Sequence, residues 1–302
     1  MAADMAAGQG DSLNGMTIGF IGLGLMGRPM ALNLHNAGAR LVIHNRSQGV
    51  VSELAGQGMS GAATPAAVAA QADTIIMMLP DTPAVRTVLL GDDGLIGGVG
   101  ANHLIIDMGT TAVTDTRELA GKIEARGGDY LDAPVSGGTI GAEGGTLNIM
   151  AGGAEAAVER AMPLFEVLGK SVVHVGGSGT GQVAKAANQV IVGLTIGAVA
   201  EALELAKRSG ADPARVRQAL KGGFADSRIL EVHGQRMVDG DFRPGGKCAT
   251  QRKDMAQAIE LAAESGLELP ATALNKELYE RIIEAGFGDL DHSALIKVFD
   301  LD

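Results

Sequence analysis

The chain carries a single cysteine, Cys248, in 302 residues. That excludes an intrachain disulfide and any CxxC metal or redox pair, and it fits a reducing cytoplasm. Long runs of lysine and arginine are absent and the net charge is -11, so the basic footprint that a nucleic-acid partner requires is missing. No stretch of about 18 or more apolar residues is free of glycine breaks and charges, and no membrane span is expected. Residues 1–15 (MAADMAAGQGDSLNG) have neither the basic start nor the apolar core of a signal peptide and are expected to form a disordered tail. The histidines lack HxxxH and HxxEH spacing and none sits beside an evident carboxylate ligand in sequence, so no metal is expected. Two hydrolytic signatures also fail. GGSGTG at 176–181 is followed by Gln182 and Val183 where a P-loop needs Lys and Ser or Thr, and Ser136 lacks the G-x-S-x-G frame.

What is present begins with a short apolar run at 16–21 (MTIGFI), then Gly22, Gly24 and Gly27 in GLGLMG, then a helical pattern through Ala37. In that strand–turn–helix context GxGxxG points to a dinucleotide. The glycines allow a tight turn, close approach to a pyrophosphate and helix–strand packing, while Leu25 and Met26 open the helix whose free N–H groups face the anion. The second strand, 40–44, leads into Asn45, Arg46 and Ser47, where an NAD-binding fold places an acid on the ribose. The missing acid and the guanidinium favour NADP(H) over NAD(H), which remains possible; the alternative is a solvated Arg46 and a Ser47 that caps the next helix.

Helices and strands then alternate: a helix in 65–72, strands at 74–79 and 103–107, helices at 82–89 and 113–126, and strands near Tyr130, at 147–151 and at 172–175. This pattern predicts an α/β, doubly wound, mostly parallel sheet. Ligands of such sheets sit beyond the carboxyl ends of the strands, so weight falls on Leu79, Pro80 and Asp81, on Gly109 and Thr110, and on 133–139. In the last of these, Ser136, Gly137 and Gly138 offer a hydroxyl and consecutive N–H groups to an anion such as a carboxylate, or else form a wide turn.

From 179 onward the pattern is helical. Residues 179–209 predict one long helix, about 45 Å at 1.5 Å per residue, enough to leave one domain and run through another. Gln182, Lys185, Asn188 and Gln189 share a face of it. A lysine there is either snorkelling to solvent or doing chemistry. Helices at 228–237 and 252–265 follow, the latter with Arg252 and Lys253 against the helix dipole at its start, a hint of a bound partner. The expected division is a dinucleotide-binding domain at 16–178 and an all-α substrate and oligomerisation domain at 179–302. The apolar faces of its helices point to a homodimer or homotetramer.

Four segments in order, GFIGLGLMGRPMALNL, DAPVSGGTIGAEGGTLNIMAGG, GQVAKAANQVIVG and RKDMAQAIELA, resemble the β-hydroxyacid dehydrogenases, the 3-hydroxyisobutyrate dehydrogenase-like family. GGFADSRILEVHGQRM and GDLDHSALIKVF look like its tartronate semialdehyde reductase branch. The resemblance implies that Lys185 is the general acid in reduction of a small oxo acid and the base in the reverse direction. It also implies that Ser136, Gly137, Gly138 and Asn188 hold the substrate carboxylate, that Thr110 lies near nicotinamide and substrate, and that Lys253 and Asp254 close over the cofactor. Reduction of glyoxylate or succinic semialdehyde, oxidation of 3-hydroxyisobutyrate or serine, and a non-catalytic dinucleotide-binding module are the alternatives. Gln189 departs from the Asn of many relatives, and Asn45-Arg46-Ser47 departs from the acidic loop of NAD-using ones.

Overall fold

A computed structural model describes residues 12–301. It divides into two compact units, 1–185 and 186–302. The first is built on strands β1 (Thr17–Ile21), β2 (Arg40–His44), β3 (Ser60–Gly61), β4 (Thr74–Met77), β5 (Leu104–Asp107), β6 (Asp129–Asp132), β7 (Val135–Ser136), β8 (Leu147–Gly152) and β9 (Gly169–Gly176). They form one sheet in the order β3-β2-β1-β4-β5-β6-β8-β7, with β9 on β8. Pairing is parallel from β3 to β6 and antiparallel at β6–β8 and β7–β8.

Apolar side chains alternate between the two faces of the sheet, as the two-residue strand period requires. Ile18, Phe20, Leu41, Ile43, Ile76, Leu104 and Ile106 enter one core with Met30, Leu34, Leu164 and Phe165 of helices Gly27–Asn36 and Glu155–Leu168. Val42, Ile75, Met77 and Ile105 enter the other with Val85, Leu89, Leu119 and Ile123 of helices Thr82–Leu90 and Val113–Glu124. Burial on both faces is the doubly wound arrangement expected of these runs.

Two expectations change. Of the expected tail, 1–11 lie outside the described residues, but Leu13 is fully buried in the first core and its N–H donates to Ala37 O at 2.9 Å. Ordered chain thus starts before residue 16, because an apolar side chain has a core to enter. The long helix runs Thr180–Arg208, and the two compact units part at Lys185, within it. Lastly, the helix expected at 252–265 is Cys248–Glu264, so Arg252 and Lys253 lie beyond its first turn and the dipole no longer disfavours them.

The second unit is helical: the remainder of the long helix, Pro213–Leu220, Arg228–Asp239, Cys248–Glu264 and Pro270–Ile282, then a 3₁₀ segment, His292–Asp300. The long helix is apolar and long enough to cross a membrane by composition alone. Its Ile196, Val199, Ala200 and Leu203 instead fill the core of this unit. Gly193 makes the crossing close, since an added Cβ would lie 2.7 Å from Met255 Sδ, and Asn275 Nδ2 donates to Gly193 O at 2.8 Å.

Candidate active site

Three strand ends, of β1, β2 and β4, lie side by side and carry the Gly-rich turn. Gly22 sits at φ +98°, a conformation that costs glycine nothing, and its N–H donates to His44 O at 3.0 Å. Gly24 is different: an added Cβ there would meet nothing within 4 Å. That opening, the exposed Leu25 beside it, and a helix Gly27–Asn36 with neither a side-chain cap nor an acid in its first turn fit a pyrophosphate. Half-buried Leu79 borders the turn, its Cδ2 3.1 Å from where a Gly22 Cβ would be, and Pro80 follows it on the surface.

Asn45 works from within. Its Oδ1 accepts from Leu23 N at 3.0 Å and its Nδ2 donates to Ser47 O at 3.1 Å, so the side chain braces the Gly-rich turn. Arg46 and Ser47 are exposed. Arg46 forms no ion pair among the described residues, and the Ser47 side chain does not cap the helix Gln48–Ala55 that it precedes. Both are therefore available to a ligand.

The second cluster gathers where the long helix begins. Asp132, at the end of β6, is fully buried, and its two oxygens accept from Gly179 N and Gln182 N, each at 2.8 Å. Burial pushes its carboxyl up to about 6, against the downward pull of those two N–H groups, and nearby Asp107 adds to the rise. Gln182, 2% exposed, accepts from Thr111 N at 3.2 Å and donates to Gly109 O at 2.9 Å, bracketing Thr110 from both sides. One turn further on, Lys185 is 8% exposed and donates from Nζ to Val135 O at 2.7 Å. Val135 precedes Ser136, Gly137 (φ +142°) and Gly138 (φ +61°), so the amine lies at the loop predicted to take an anion. Snorkelling to solvent is thereby excluded for Lys185. Sequence reasoning named Lys185 and the Ser136 loop but missed Asp132 and left Gln182 without a role, because both act across folded distance.

The remaining expected residues belong to the helical unit. Asn188 Nδ2 donates to Gln189 Oε1 at 2.7 Å, and Gln189 Nε2 donates to Asp254 Oδ2 at 2.5 Å. Lys253 pairs with Asp254 at 3.0 Å. Gln189 is thus a brace between two helices of that unit, and Asp254 is 3% exposed within it.

One grouping that the spacing of the histidines did not indicate places two of them beside a carboxylate. His233, Asp291 and His292 come together, with potential ligand atoms all within 4.8 Å. Asp291 accepts from Gly245 N, Gly246 N, Ser293 N and Ser293 Oγ and pairs with Arg236 at 3.0 Å. Those donors occupy the roughly four lone-pair sites of a carboxylate, so Asp291 is engaged chiefly within the protein. Burial alone would raise this carboxyl, but His233, His292, Ser293 and Gly245 hold it far below the ordinary range. It ties the chain around 245 to the 3₁₀ segment and to helix Arg228–Asp239. Burial and Asp291 push the nearby Cys248 thiol up to about 12, so it is no nucleophile.

Residues 17–177 match the family model described as the NAD binding domain of 6-phosphogluconate dehydrogenase, and 179–299 that described as NAD-binding of NADP-dependent 3-hydroxyisobutyrate dehydrogenase. The chain is 50% identical over 286 residues to 2-hydroxy-3-oxopropionate reductase of Escherichia coli, covering 95% of this chain and 98% of that one. It is 35% identical to the NAD-dependent L-serine dehydrogenase of Pseudomonas aeruginosa over 94% of this chain and 97% of that one. A solved Mycobacterium tuberculosis 3-hydroxyisobutyrate dehydrogenase, described with L-serine, superposes at a TM-score of 0.85 with 33% identity, covering 95% and 99%.

Proposed function

The chain belongs to the β-hydroxyacid dehydrogenase family of NAD(P)-dependent oxidoreductases, and from that premise we propose that it reduces 2-hydroxy-3-oxopropionate to glycerate with NADPH. The observation that carries the chemistry is the Lys185 ammonium 2.7 Å from Val135 O, beside Ser136. The half-identical relative, a 2-hydroxy-3-oxopropionate reductase, supports the substrate. A bound nicotinamide supplies the hydride. Ser136 Oγ and the N–H groups of Gly137 and Gly138 hold the substrate carboxylate, as a hydroxyl beside two glycines of positive φ can. Lys185 then exchanges its bond to Val135 O for one to the carbonyl oxygen and donates its proton as that oxygen gains charge. At 8% exposure the amine has little competing water around it.

Steady-state kinetics test the substrate over 2-hydroxy-3-oxopropionate, glyoxylate, succinic semialdehyde, 3-hydroxyisobutyrate and L-serine. The expected result is the highest kcat/KM for the first; a tenfold or greater preference for another member would overturn the assignment. L-serine is the most informative rival, since a relative 35% identical is named for it.

The helical unit leaves Ile191, Leu205, Phe224 and Leu274 exposed, large apolar side chains of the kind that a second copy covers. The expected species is a homodimer or homotetramer. Light scattering at micromolar concentration measures it, and a mass near 30.7 kDa would refute self-association.

A further inference from the structure

We propose that Asp132 and Gln182 are positioning residues for the proton donor: together they fix the first turn of the long helix, and hence Lys185, against the loops after β5 and β6. This rests on the reading of Lys185 as the acid. Asp132 grips the helix start through Gly179 N and Gln182 N, both at 2.8 Å. Three residues further along, the same segment offers Val135 O to Lys185 Nζ at 2.7 Å. One stretch of chain therefore holds both the base of the helix and the tip of the side chain it carries. Gln182 adds an orthogonal restraint, since its amide is bonded on both sides of Thr110, to Thr111 N and Gly109 O.

The backbone is shaped for this clamp. A Cβ on Gly181 would fall 2.5 Å from Asp132 O, and one on Gly152 would fall 2.6 Å from Gly181 N. Glycine at both positions lets the turn seat on β6 and β8 with nothing between. Gln182 and Lys185 are separated by three residues, about 4.5 Å along the axis, so a tilt of the first turn moves Nζ away from the Ser136 loop. Misplacement of about 1 Å at a reacting centre is enough to cost two orders of magnitude in rate.

A cap that only stabilised the fold would change melting temperature and little else. The test is kinetic, on the full chain with NADPH and 2-hydroxy-3-oxopropionate, using Asp132→Asn, Gln182→Leu and Lys185→Ala. Asp132→Asn keeps shape and one acceptor but loses the second; Gln182→Leu keeps volume and loses both bonds. The expected result for each is a kcat about 10- to 100-fold lower, with KM for substrate and Kd for NADPH within about threefold of the parent. The primary isotope effect from 4-deuterated NADPH should rise as chemistry becomes rate-limiting. The inference is overturned if both variants keep kcat within twofold, or if substrate KM and NADPH Kd deteriorate as much as kcat does. Should Asp132→Asn not fold, Gln182→Leu alone decides. Lys185→Ala separates the two levels: if it too leaves kcat unchanged, the reading of the acid fails; if it alone lowers kcat, only the clamp fails.

Discussion

Lys185→Ala lowers kcat by about 10² to 10⁴, the range for a lost general acid, equivalent to roughly 3 to 5.5 kcal/mol of transition-state stabilisation. The size follows from where the amine sits. It is 8% exposed and bonded to a backbone carbonyl at the start of the Ser136 loop, so water has no ready route to replace it as a proton source. NADPH affinity should hardly change, because the Gly-rich turn is built from β1, β2 and β4, strands that precede Lys185 by more than a hundred residues and owe it no bond. Fluorescence titration of NADPH against the variant checks this half of the expectation, and single-turnover rates check the other. Lys185→Arg sharpens the result. Arginine keeps the positive charge but holds its proton at any working pH, so a donor role predicts a rate near that of alanine, whereas a purely electrostatic role predicts recovery. A kcat indistinguishable from the parent in Lys185→Ala would remove this residue from the mechanism.

The parts of the site legible in the sequence were those written within one turn or one loop. Gly22, Gly24 and Gly27 could be read because strand, turn and helix are consecutive, and the structure then separates them: Gly22 serves the backbone conformation, while Gly24 faces open space. Lys185 was legible as a polar interruption of an apolar helix, though only the fold excludes the snorkelling alternative. Asp132 was not legible. Its partners at Gly179 and Gln182 are 47 and 50 residues away, and no local pattern announces a carboxylate that will cap a distant helix. The same distance defeats spacing rules for His233 and His292, which meet across 59 residues. Asn45 shows the converse limit. Its oxygen accepts from Leu23 N, and sequence alone does not distinguish such an internal bond from a ligand bond. Nor does any local pattern announce that Asp132 and Gln182 hold the turn after the glycine-rich GGSGTG to the sheet.

Arg46→Ala raises KM for NADPH by about 10- to 100-fold and leaves KM for NADH within about twofold. A hydrogen bond to a charged group contributes roughly 1.5 to 3 kcal/mol, which corresponds to that range when one guanidinium contact to a phosphate is removed. The asymmetry between the two cofactors is the informative part, since only NADPH carries a phosphate on the ribose 2′ position. The structure supplies three reasons to place that contact here. Arg46 directly follows β2, the strand whose end normally bears the ribose-binding acid. It is exposed and pairs with no carboxylate among the described residues, so no internal partner must be given up on binding. Ser47, beside it, leaves its hydroxyl off the cap of the following helix and can join the guanidinium on the same phosphate. Asn45, by contrast, should not be interchangeable with them. Asn45→Ala removes the bond to Leu23 N and loosens the Gly-rich turn itself, so KM for both cofactors should rise together. Parallel titration of the two variants with NADPH and NADH therefore separates a residue that selects the cofactor from one that shapes its cradle. Equal losses for both cofactors in Arg46→Ala would refute the 2′-phosphate role.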